Sequence, residues 1–224
     1  MSAGPGDLKV ISLISTGHCL SHMYQLALPN LFFLITVKEG FSITSLALLT
    51  SVFFVVSAIG QIIAGFLVDK YGARPILFLG FLLISFATAA FAFANSYQLM
   101  IVLSFLAGLG NSVFHPADYS ILNGSISEQN VGKAYGVHGF GGLIGYAVTP
   151  YLMYVMGTFF GWRETMLIIG IVGICTAGLM WTQRRDLQDS GLDKGITAGS
   201  VREGIGILFK PATILSFLFF CFMA

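Results

Sequence analysis

Five residues that could move a proton stand inside apolar stretches of this chain: His18, His22, His115, His138 and Asp118. Imidazole changes charge near neutral pH without help. A carboxyl group joins it only where burial disfavours the charged form. The polar residues around them recur at spacings of three and four, which puts each set on one helix face. Ser15, His18, His22, Gln25 and Pro29 make the first stripe; Ser104, Gly108, Asn111, His115 and Asp118 the second; His138, Gly142, Gly145 and Thr149 the third. Polar groups turned to lipid are costly, so these faces line a cavity or pack on one another. The candidate substrate and proton residues are His18, His22, Gln25, Asn111, His115, Asp118 and His138.

Counted from Gln98 at ~1.5 Å per residue, Asp118 lies roughly 30 Å along its helix, close to a membrane rim. It is a proton carrier or an interfacial anchor, and both readings stay open. His115-Pro116 should kink its helix and free backbone carbonyls. His18 and His22 form a His-xxx-His pair, but no Glu or Cys ligand accompanies them, so no metal site is expected. The histidines also have a plainer reading, as hydrogen-bond glue between helices.

The elements that position these residues follow from composition. The 224 residues are 56% hydrophobic and only 9% charged, against about 25% charged in soluble domains. Lipid is therefore the solvent, and the fold class is an all-α integral membrane protein. A spanning helix needs about 20 mostly apolar residues. Six such stretches are predicted, over 9–36, 42–67, 75–95, 97–121, 134–160 and 165–182. A hydrophilic linker over 183–206 follows, and a seventh apolar run over 207–224 reads as a helix cut short. The domain plan is a six-helix bundle over 1–182, the linker, and the start of a second bundle whose remainder is missing.

Loop cations set the orientation. With the N-terminus in the cytoplasm, nine inner cations (Lys9, Lys70, Arg74, Lys133, Arg184, Arg185, Lys194, Arg202 and Lys210) face two outer ones, Lys38 and Arg163. The first stretch lacks a small-residue cleavage site and reads as a retained helix rather than a signal peptide. Cys19, Cys175 and Cys221 each lie in apolar runs, and their odd count argues against a disulfide framework. No Gly-x4-Gly-Lys-Ser/Thr loop occurs, so direct ATP drive is not expected. Neither clustered His ligands nor a nucleophile motif supports a membrane enzyme.

The most specific motif is Gly65-Phe66-Leu67-Val68-Asp69-Lys70-Tyr71-Gly72-Ala73-Arg74, in the tight turn between the second and third helices. It resembles the signature loop of the major facilitator superfamily, Gly-x-Leu-x-Asp-Arg/Lys-x-Gly-Arg-Arg/Lys. Gly65, Leu67, Asp69, Lys70, Gly72 and Arg74 match, and Ala73 departs. In the fifth helix Gly136, Gly145 and Pro150 match part of the superfamily's antiporter pattern, with Thr149 and Met153 in place of glycines. Drug/proton members often carry an Arg in helix four before a Gly-x-Gly; here Gly108-Leu109-Gly110 is present but Ser104 stands at the Arg position. Gly72-Ala73-Arg74 and Gly161-Trp162-Arg163 precede the third and sixth helices, each followed by a glycine, Gly80 and Gly170. That is a faint mark of a 3+3 inverted repeat.

Phe114-His115-Pro116-Ala117-Asp118-Tyr119-Ser120, with the His-rich first helix, is similar to the fosmidomycin-resistance branch. The resemblance implies the N-terminal half of a secondary transporter, working by alternating access and exporting small molecules or drugs in exchange for protons. An uptake symporter for an organic acid or sugar is the alternative. It also implies a multi-pass protein of the plasma membrane, a bacterial inner membrane, with partners limited to a small-molecule substrate, protons and the lipid bilayer. Neither cofactor nor nucleic acid is expected.

Overall fold

The computed structural model describes residues 5–189, 206–207 and 209–216. The chain divides into two compact units, Met1–Gly191 and Leu192–Ala224. In the second unit, residues 206–207 and 211–216 are helical. Most of the expected linker and much of the expected seventh helix lie outside the described residues.

The first unit is helical: α1 (Pro5–Ala27), a 3-10 turn at Pro29–Leu31, α2 (Phe32–Glu39), α3 (Ile43–Tyr71), α4 (Ala73–Ala90) with a 3-10 turn at Phe91–Phe93, α5 (Tyr97–Asn111), α6 (Phe114–Ser125), α7 (Val131–Phe160) and α8 (Trp162–Thr182). Local chemistry sets several boundaries. Ser42 and Ser96 cap α3 and α5 by accepting from the amides of Ser45 and Leu99. Gly40 ends α2 in the left-handed conformation.

Five helices, counting α5 and α6 as one, are long and apolar enough to cross a membrane, and α1 with α2 makes a sixth span bent by 41° at Pro29. The ion pairs decide that α1 and α2 are a single span. Lys9 Nζ lies 2.6 Å from Asp186, so the chain must cross an even number of times between them. At that same end Asp7 accepts from Ser127 and Asn130, and the Arg74 guanidinium donates to the Arg184 carbonyl. At the opposite end Arg163 Nη2 lies 3.1 Å from Glu39. Its Nη1 donates to the carbonyls of Ala92 and Ala94 at 3.0 and 2.7 Å.

Gly72 and Gly161 share a conformation open to glycine, φ 89° with ψ 150° and φ 92° with ψ 165°. Each starts a helix, and each is followed two residues later by an arginine that ties down neighbouring backbone carbonyls. The faint sequence repeat is thus a repeat of turn geometry.

The expected kink at His115-Pro116 is displaced. The fourth span is interrupted at Ser112 and Val113, between α5 and α6, one turn before Pro116, whose missing N–H leaves the Ser112 carbonyl without its helical donor. In α7, by contrast, Pro150 sits inside an unbroken helix. One residue earlier the Thr149 hydroxyl donates to the Gly145 carbonyl at 2.5 Å, the kind of side-chain bond by which membrane helices tolerate proline.

Candidate functional site

The three polar stripes meet. The closest packing of α1 is against α7, and α6 also lies against both. Asp118 of α6 is 1% exposed and turns into the bundle, toward α1 and α7. The fourth span continues beyond it to Ser125. Asp118 Oδ2 lies 3.0 Å from His138 Nε2 of α7, within hydrogen-bonding distance, and 3.5 Å from His18 Nδ1 of α1. The His18 and His138 rings stack with centroids 3.8 Å apart. His22 and His115 complete the group, their rings 4.4 and 5.0 Å from that of His18.

The backbone of α7 makes room for this cluster. A Cβ on Gly142 would come within 2.9 Å of His18 Nε2 and 3.0 Å of His22 Cε1, closer than real side chains approach. Gly145 packs on the Cys19 carbonyl, so the two helices touch at the level of the imidazoles. Gly136, by contrast, has nothing within 4 Å of where a Cβ would sit.

Several imidazole nitrogens are buried without a hydrogen-bond partner: His18 Nδ1, both nitrogens of His22 and His115 Nδ1. A buried unpaired polar group costs about 1–3 kcal/mol, so the cluster is held at a cost to stability. The arrangement can share a proton between one carboxylate oxygen and two imidazoles, or present three donor atoms to one cation. The expectation of no metal site rested on His18 and His22 having no Glu or Cys ligand beside them. Asp118 supplies one in space from another helix, with His18, Asp118 and His138 ligand atoms within 4.8 Å of one another.

Gln25 and Asn111 belong to neighbouring arrangements. Gln25 accepts a bond of 2.5 Å from the Tyr146 hydroxyl, and the Tyr146 ring lies 4.2 Å from that of His22. Asn111 donates to Ser57 of α3 at 2.8 Å and so turns toward the second span. Tyr146 and Tyr119 were not singled out by sequence. Tyr119 sits between His115 and His138, with centroids 5.9 and 5.5 Å away, and its place four residues after His115 was the available signal. Ser104 is buried with its hydroxyl unpartnered. It borders a cavity of about 20 Å³ lined also by Tyr24, Gln25, Thr50 and Phe53, room for about one water.

In the signature loop Asp69 and Lys70 are exposed, and Lys70 Nζ lies 5.0 Å from the Tyr71 ring centre. Arg74 is half-buried, with its backbone amide on Asp189 Oδ1 at 3.2 Å.

Comparison with known proteins agrees with this architecture. The chain is 27% identical over 173 residues to a probable L-galactonate transporter of Escherichia coli, covering 75% of this chain and 38% of that protein. It is 31% identical over 142 residues to a probable sulfoacetate transporter of Cupriavidus necator, covering 63% and 33%. This chain therefore spans between a third and two fifths of the length of these relatives. Its fold superposes with a TM-score of 0.74, at 18% identity, on an inward-facing, occupied bacterial homologue of the human lysosomal transporter Spinster, covering 84% of this chain and 46% of that one. The sequence model of the Major Facilitator Superfamily matches residues 14–224, and with six apolar spans, a signature loop and a repeated turn in place, this chain is a multi-pass membrane protein belonging to that superfamily.

Proposed function

We propose that the full-length protein is a proton-coupled secondary transporter of a small organic anion, working by alternating access, with this bundle as one half of the machine. The observation that carries the reading is the Asp118 carboxylate shared between His138 and His18 deep among three spans. An ionisable cluster inside a membrane bundle is costly and marks a transport or proton path. The anion follows from two relatives whose names specify L-galactonate and sulfoacetate. Lys and Arg of the described loops gather at the end that holds Lys9, Lys70, Arg74 and Arg184, and the positive-inside rule makes that end cytoplasmic. The membrane is the plasma membrane, a bacterial inner membrane.

Uptake by symport is the first reading of direction. Efflux by antiport, of the fosmidomycin-resistance kind, is the second, favoured by Gly136, Gly145 and Pro150 in the fifth span. Proteoliposomes holding the full-length protein separate the two. Under symport, an inward proton gradient drives L-galactonate or sulfoacetate in; under antiport, the same gradient drives preloaded substrate out. Movement of neither compound, nor of fosmidomycin, under either gradient would defeat the proposal.

A further inference from the structure

The histidine cluster has a second chemistry that proton transfer does not use. We propose that His18 Nδ1, Asp118 Oδ2 and His138 Nε2 form a binding site for a divalent transition cation of the zinc class, which ties the first, fourth and fifth spans together. The proposal does not depend on the substrate or on the coupling ion.

Three observations carry it. The first is distance. Zinc bonded tetrahedrally at ~2.0–2.2 Å holds its donor atoms about 3.3 Å apart. Here the carboxylate oxygen lies 3.0 Å from one imidazole nitrogen and 3.5 Å from the other, with all three ligand atoms within 4.8 Å. The two rings now stack with centroids 3.8 Å apart, so seating both nitrogens on one tetrahedral cation spreads the far edges of the rings while the nitrogens stay beside the carboxylate oxygen. The second is unsatisfied bonding. His18 is 3% exposed and its Nδ1, the atom aimed at Asp118, has no hydrogen-bond partner. Neither does either nitrogen of His22, nor Nδ1 of His115. Their rings flank His18 at 4.4 and 5.0 Å, so a fourth ligand is available from one of two neighbours by rotation of a side chain. The third is the donor set. Two imidazoles and one carboxylate suit zinc, cobalt or nickel, whereas magnesium and calcium prefer all-oxygen cages.

The three ligands come from three different helices, α1, α6 and α7. A bound cation would therefore act as a cross-link inside the bundle, and it would stabilise the folded state by mass action.

The test uses the full-length protein, purified without a polyhistidine tag, and Co²⁺ alone as the probe. One Co²⁺ per molecule should bind with the intense visible absorption of a tetrahedral site, and Zn²⁺ should displace it and raise the melting temperature. Asp118→Asn and His138→Gln should each weaken Co²⁺ binding by about 100-fold or more, since loss of an outer-shell partner alone costs 10–100-fold. His138→Cys keeps a zinc-class ligand, so it should bind Co²⁺ and add a thiolate-to-cobalt band in the near ultraviolet. No stoichiometric binding by the natural protein would overturn the proposal, as would binding unchanged in both Asp118→Asn and His138→Gln. If those two variants fail to fold, the thiolate band of His138→Cys decides, its absence counting against the site. Cobalt on these atoms displaces the shared proton, so transport is assayed on metal-free protein; failure there, with cobalt binding intact in the separate binding assay, would defeat the proposed function and leave the metal site standing.

Discussion

The rings of His18 and His138 lie stacked with planes 20° from parallel, and both turn a nitrogen toward the same oxygen of Asp118. One helix holds each imidazole and a third holds the carboxylate. A charge gained or lost at any one of the three groups is therefore felt by all three helices.

Replacing the titrating groups should therefore separate coupling from binding. His18→Gln, His22→Gln, His115→Gln, His138→Gln and Asp118→Asn each keep a polar side chain and remove a proton site. At least one, with Asp118→Asn and His138→Gln foremost, should lose gradient-driven uptake by tenfold or more while substrate exchange at equal pH persists. Normal pumping by all five, measured in proteoliposomes, would place the proton site outside this bundle.

Gly142 and Gly136 form a matched pair for testing how the cluster is seated. Gly142→Ala drives a methyl group against His18 and His22. Overpacking of this kind costs about 1–3 kcal/mol, and the imidazoles must shift. Gly136→Ala meets nothing within 4 Å and should leave both stability and transport unchanged. Equal behaviour of the two variants in thermal unfolding and uptake assays would show that Gly142 does not position the histidines.

Much of this was legible in the sequence because lipid imposes a simple rule. Six apolar runs bounded by charges gave six spans, and the helical spacing of His18, His22 and Gln25, or of His138, Gly142 and Gly145, set the faces that meet. Pairing between helices was not legible. Asp118 lies twenty residues from His138 and on a separate helix from His18, so the lack of a Glu or Cys ligand near His18 along the chain said nothing about space. The same limit hid the Tyr146–Gln25 bond, and it turned Asn111 toward Ser57 rather than the histidines.

Asp69→Ala in the full-length protein should reduce transport by tenfold or more while expression and melting temperature hold. Asp69 is exposed at the end of α3, where its loss leaves no buried hole. Its position in the signature loop suits a charge that changes partners during the cycle. A fall in folded protein with normal activity per molecule would assign it a structural role instead.

Orientation can be read by thiol labelling in a cysteine-free background. Gln98→Cys and Gln188→Cys are both exposed positions near opposite ends of the bundle. A membrane-impermeant reagent added to intact cells should label the first and not the second. Labelling of Gln188→Cys alone would invert the topology.

The arginine of each repeated turn has a mechanical consequence. Arg163 fastens the ends of three spans at one face through Glu39, Ala92 and Ala94, while Arg74 grips the strand of chain that leaves α8 at the other. A bundle buckled at both rims has little internal slack. In the alternating-access cycle proposed above, a push at the imidazoles would pass to the whole body as tilt, much as a rigid lever carries a small push at its fulcrum to its far end.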